Sequence, residues 1–134
     1  MKHITFLLSI VLMFTFFTAA DAGEKGENWE KFSKSLVETL KSDNEGLKQS
    51  AMMQIMVFCD SLDVKDAAFD VYNIYKFHKD NQMRHLALVT LYHLKSDWAM
   101  IQLTKDLKTE ESPLLKKQIM FMVKEYNQMK EHVH

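Results

Sequence analysis

The chain has 134 residues, with 17 Lys plus Arg against 18 Asp plus Glu, for a formal net charge of −1. That is one domain's length, and the neutral balance supplies no general field for nucleic acid. With three glycines (Gly23, Gly26, Gly46) and one cysteine, the sequence excludes Gly-rich phosphate loops, nucleophile elbows, paired-Cys zinc sites and an intramolecular disulfide.

Residues 1–22 carry the features of a secretory signal. Lys2 and His3 form a short basic start, and Ile4 to Phe17 is an uncharged, mostly apolar run of 14 residues. Ala20-Asp21-Ala22 places small residues where a signal peptidase reads them, so cleavage is expected after Ala22. Fourteen residues at helical rise cover about 21 Å, short of the roughly 30 Å hydrocarbon core. An uncleaved signal anchor is the rival reading. No Cys follows Ala22, so a lipoprotein anchor is not indicated. The expected mature chain is 134 − 22 = 112 residues, secreted or periplasmic, touching a membrane only transiently through the signal.

Residues 23–27 read as a polar leader, 28–131 as a helical domain and 132–134 as a tail. Asn28 is the expected cap of the first helix, whose apolar stripe is Trp29, Phe32, Leu36 and Leu40. Asp43-Asn44 breaks and recaps the chain for a second helix running to about Asp60. Cys59, beside Phe58 on its flank, is expected to be buried, as free Cys commonly is; pairing between chains is the other use of a lone thiol. Asp63 is the expected cap of a third helix, Val64 to about His78, apolar nearly all round and so expected to be covered on several sides. Asp80-Asn81 caps a fourth helix ending near Leu94. Ser96-Asp97 caps a fifth, with Trp98, Ile101 and Leu107 as its apolar residues. Ser112-Pro113 starts a sixth, with Pro at the first helical position. Alternation at period two never persists, so no strand is expected.

A pattern recurs through the second, fourth and sixth helices. Leu47-Lys48, Met83-Arg84 and Leu115-Lys116 open the copies, at offsets of 36 and then 32 residues. Ala51, Ala87 and Ile119 follow, then Ile55, Leu91 and Val123, then Phe58, Leu94 and Tyr126. Repeats of this length built from helices predict helix pairs stacked in an open array. An acidic residue at each turn within a pair (Asp43, Asp80, and Glu110 or Glu111) precedes a basic residue early in the second helix (Lys48, Arg84, Lys116). In this the chain resembles HEAT-like repeats, with units shorter than the usual length of about 40–47 residues. The resemblance implies an all-α fold of three stacked antiparallel helix pairs, a short α-solenoid acting as a protein-binding scaffold. Tetratricopeptide repeats fit less well. Trp29-x-x-Phe32 matches them superficially, but their small residues and terminal Pro are missing.

No enzymatic motif is present, and no cofactor is expected. Among the histidines, His85 and His93 stand about 80° and 12 Å apart on one helix and cannot share a metal shell, and His78 lies on another element. Lys48, Arg84 and Lys116 form a basic column, each expected to pair with a cap carboxylate of its own or the neighbouring turn. Take the core direction at Ala51, Ala87 and Ile119. Met53, Val89 and Phe121 then lie about 200° round, with Met56 and Tyr92 near 140°. These five apolar residues should form a strip on the concave face, edged by Gln49, His85 and Lys117. Either it is exposed for a partner, or superhelical curvature buries part of it. The function expected is therefore an exported, non-enzymatic scaffold holding a protein, a peptide or a second copy on Met53, Met56, Val89, Tyr92 and Phe121. The alternative is an envelope-space carrier of a small ligand or metal, using Met and His side chains.

Overall fold

The computed structural model describes residues 24–133, so the signal segment expected over residues 1–22 lies outside the described residues. Six helices make up the described chain: α1 Glu24–Leu40, α2 Glu45–Phe58, α3 Ala67–Phe77, α4 Asn81–Leu94, α5 Asp97–Asp106 and α6 Pro113–Glu131. There is no strand among the described residues, so the protein is all-α. None of these helices is long and apolar enough to cross a membrane.

Four helix starts follow directly from local chemistry. The first amide groups of a helix lack intrahelical acceptors, and a short polar side chain at the cap supplies one. Asn44 accepts from the Leu47 amide at 3.0 Å, and Asp80 from Gln82 at 2.8 Å. Ser96 accepts from Ala99 at 3.3 Å, and Ser112 from Leu115 at 3.4 Å, with Pro113 in the first turn. Between α4 and α5 the chain reverses at Lys95, whose φ of 49° is the left-handed conformation more usual for glycine.

Two helix starts differ from expectation. Helix α1 begins at Glu24, so Asn28 lies inside it and caps nothing. Helix α3 begins at Ala67, after a tight turn in which the Ala67 amide bonds the Val64 carbonyl. Asp66, not Asp63, stands at its cap, without a side-chain hydrogen bond. Asp63 is held elsewhere: its amide donates to the buried Ser33 hydroxyl at 3.1 Å, which itself donates to the Trp29 carbonyl.

The main helix contacts have a simple order. α1 packs on α2, α3 on α4 and α5 on α6; α1 also meets α3, α3 meets α5, α2 meets α4 and α4 meets α6. The ladder of the repeat lies at the centre of this packing. Ala51, Ile55, Met83, Ala87, Leu91, Leu115, Ile119 and Tyr126 are buried, and Leu94 and Val123 pack against them half-buried. Leu47 is 50% exposed, and Phe58 is half-buried against Trp29 and Phe32.

On the odd-numbered helices several of the largest apolar side chains stay at the surface while smaller ones are buried. On α5 the core is made by Ala99, Met100, Leu103 and Asp106, while Trp98 and Ile101, expected as its apolar stripe, are exposed. On α3, Ala67, Ala68, Val71, Ile74 and Tyr75 are buried, yet Phe69 and Phe77 are exposed, so this helix is not covered all round. Aromatic rings instead bridge elements at the edges. Trp29 meets Phe58 at 5.5 Å, and Trp98 meets Tyr72 at 5.4 Å and Phe69 at 5.8 Å. Cys59 is free and half-buried at the end of α2, less covered than expected.

Candidate interaction face

The five residues of the expected strip fall into two groups. Met53 and Phe121 are 50% and 60% exposed, as their angle from the core predicts. Met56, Val89 and Tyr92 are half-buried, and Tyr92 packs against the core. On α4, packed on both α2 and α6, both outward residues are half-buried, and on α2 the groove beside α4 takes in Met56.

One groove gathers part of the strip. It encloses about 410 Å³ between α2 and the start of α4, and Met53, Met56, Met83 and Leu86 give it an apolar lining. Glu45, Gln49, His78, Asp80 and Gln82 form its polar rim. Val89, Tyr92 and Phe121 are not among its lining residues, so the groove takes in one end of the strip. The sequence reading missed the contribution of Met83, which opens a repeat copy and was read only as a ladder residue.

The rim is held by local bonds. The His78 Nδ1 accepts from the Asp80 amide at 2.9 Å, which leaves Nε2 to donate to the Glu45 carboxylate. Lys48 reaches the other Glu45 oxygen at 3.4 Å. The bond from His78 first, and the charge of Lys48 after it, hold the Glu45 carboxyl below its ordinary value.

A second polar cluster joins α3 and α4 to the α5–α6 turn. Tyr72 and Lys76 each bond Asp106 at 2.6 Å. Tyr75 bonds Glu110 at 2.7 Å, and Arg84 bonds the same carboxylate oxygen at 2.6 Å. The Ser112 amide donates to the other Glu110 oxygen. Both carboxylates are nearly enclosed, with side-chain exposures of 10% for Asp106 and 4% for Glu110. Burial pushes the Glu110 carboxyl up, but the bonds from Tyr75, Ser112 and Arg84 together outweigh it and hold the group below its ordinary value. Burial, then the hydrogen bonds to carboxylate, push the Tyr72 and Tyr75 phenols far up. These phenols donate; they do not act as bases.

The basic column divides in the same way. Lys48 pairs with Glu45 of its own turn, and Arg84 with Glu110 of the following turn, while Lys116 is exposed. Of the histidines considered for a metal, His85 bonds Gln118 across α4 and α6 at 2.7 Å, and His93 is exposed. No group of three His, Cys, Asp or Glu among the described residues is placed to hold a metal ion. Comparison with protein-family models, with curated proteins and with solved structures finds no match for this chain.

Proposed function

We propose that this protein is an exported, non-enzymatic scaffold, a short HEAT-like array of three stacked antiparallel helix pairs. It binds a protein or peptide partner, or a second copy of itself, along the face of α2, α4 and α6. The order of helix contacts supports the stacked arrangement: each pair packs internally, odd-numbered helices meet in sequence, and even-numbered helices meet in sequence. A compact bundle would be expected to add substantial contacts between α1 and α5 or between α2 and α6.

The observation that carries the binding reading is the exposure of Met53 and Phe121, two large apolar side chains on the even-numbered helices, with the Met-lined groove at one end. A flexible thioether surface adapts to several apolar shapes. Two experiments test the reading. Intact mass of the exported protein should lack residues 1–22; a membrane-bound form retaining them would favour the anchor. The tagged mature chain should capture a partner from its own cells, or self-associate in sedimentation, and Met53→Lys with Phe121→Lys should abolish this without unfolding the protein. Unchanged capture by that variant would sink the reading.

A further inference from the structure

The groove between α2 and α4 has a donor set that its role as an apolar surface does not use. Met53 and Met56 stand three residues apart on α2, about 4.5 Å along the axis and 60° round, so their side chains share a face. Met83 enters from α4, which packs against α2, and lines the same groove. A methionine side chain has three rotatable bonds beyond its backbone and can turn its sulfur toward a common point.

The His78 ring and the Glu45 carboxylate at the rim are already engaged, and one Asp80 oxygen is too. Both ring nitrogens of His78 are taken, one by the Asp80 amide and one by Glu45. The Glu45 carboxylate bonds His78 and Lys48, and Asp80 caps α4 through Oδ1. A hard or borderline cation would have to compete with these bonds for the His78 nitrogens and the Glu45 oxygens. Thioether sulfur is a soft, neutral donor that favours Cu(I) over Zn(II), Mg(II) or Ca(II). Neutral ligands in an apolar groove also suit a single positive charge better than a double one, since less charge has to leave water.

We propose that Met53, Met56 and Met83 form a three-thioether site for a soft monovalent cation, Cu(I) in chemical class, for which Ag(I) serves as an air-stable probe. The site does not depend on a protein partner, so it can be tested on the isolated chain.

The experiment is a titration with silver nitrate in chloride-free buffer, followed by the NMR signals of isotope-labelled methionine methyls. It is run on the Cys59→Ser protein, because a free thiol at the end of α2 would otherwise compete for silver, and in parallel on the wild-type chain. The methyls of Met53, Met56 and Met83 should shift together and saturate at one equivalent, while those of Met52, Met100 and Met122 stay in place. Zn(II) should move none of them. Met53→Leu with Met56→Leu keeps volume and helix propensity. It should weaken Ag(I) binding by more than about tenfold, the lower end of what losing even an outer partner costs a metal site. The proposal is overturned if the three methyls do not move, if Zn(II) moves them equally, or if the double variant binds silver as tightly as its parent.

Discussion

The contact of α1 and α2 with α3 and α4, and that of α3 and α4 with α5 and α6, share an apolar core but differ in what is added to it. At the first, α2 meets α4 through ladders whose inward residues, Ala51, Met52, Ile55, Ala87, Leu88 and Leu91, are fully or almost fully buried, and the His78–Glu45 bond lies at the rim. At the second, Leu115 and Ile119 of α6 are buried as well, and two enclosed carboxylates, Asp106 and Glu110, are gripped by Tyr72, Lys76, Tyr75 and Arg84 of α3 and α4. Apolar packing tolerates small sliding, because its energy follows area rather than direction. A buried carboxylate tolerates little, because each lost donor leaves an uncompensated charge in a poorly solvated place. Both contacts therefore gain stability from apolar burial, and the second also fixes where α5 and α6 sit against α3 and α4.

Lys48 and Arg84 stand at matching places early in α2 and α4 but make different contacts. Lys48 bonds Glu45 three residues back. Arg84 serves several acceptors in fixed directions: its Nε donates to the Tyr75 carbonyl at 2.7 Å and its Nη2 to Glu110 at 2.6 Å, with its guanidinium 5.2 Å from the Tyr75 ring centroid. A planar fork can do this and an ammonium cannot. It is the sole arginine of the chain.

The largest expected effect lies at the apolar junction. Ile55→Ala removes a side chain with no solvent exposure and should cost about 2–5 kcal/mol, the range for large-to-small core changes. Chemical denaturation would read it as a lowered midpoint with an unchanged slope. An unchanged midpoint would show that the first junction does not depend on its apolar ladder.

Glu110→Gln tests the polar junction with little change of shape. It removes charge from two strong hydrogen bonds, and bonds to charged groups contribute about 1.5–3 kcal/mol. The cost should fall in or below that range. Arg84→Lys should have a similar but smaller effect, and the double variant should lose less than the sum, because both changes break one network. Strict additivity would show that the two residues act independently and that the network description fails.

The same carboxylate gives the polar junction a pH signature. Glu110 titrates lower in the folded chain than its ordinary 4.5. The stability it contributes is complete above pH 4.5 and is lost as pH falls through the folded value. Asp70 opposes this trend: burial raises its carboxyl, so its protonation on acidification favours the fold. The contribution of Glu110 should therefore hold steady down to about pH 5 and be lost below that, so the acid fall of the midpoint should be shallower in Glu110→Gln. An equal acid slope in both proteins would remove Glu110 as a source of the pH dependence.

The parts of this fold that were legible in the sequence are those written by near neighbours. Asn44, Asp80, Ser96 and Ser112-Pro113 mark their helix starts because a cap bonds amides only two or three residues away. The ladder of α2, α4 and α6 was legible because one buried stripe repeats at helical spacing. The edges were not. Trp98 and Phe69 read as core by composition but form a ring contact at an exposed border, while small Ala99 and Ala68 fill the interior. Nothing in a single helix tells which of its apolar residues will have a neighbour. The polar junction joins side chains 26 to 35 residues apart, and only Arg84 with Glu110 had been anticipated, as a basic residue facing a cap carboxylate.

The smallest expected effects concern the outward residues of the even-numbered helices, where α4 should differ from α2 and α6. Met53 and Phe121 stand on helices with an open side and are at least half exposed. Lysine at either position can keep its charge in water while its stem covers neighbouring apolar surface. Met53→Lys with Phe121→Lys should therefore shift stability by no more than about 0.5 kcal/mol, as exposed substitutions commonly do. Val89 lies at the matching angle on α4, a helix packed on both α2 and α6, and is half-buried. Val89→Lys must either desolvate part of an ammonium group or push its neighbours apart, so it should destabilise more than the two outer changes together. Thermal melts of the three proteins decide the matter. If Val89→Lys is as mild as the outer pair, the middle helix is no more enclosed than its neighbours. The strip could then present all five residues to a partner. If the outer pair unfolds the protein, Met53 and Phe121 belong to the core and the docking face must be sought elsewhere, with the exposed Phe69–Trp98 border as the next candidate.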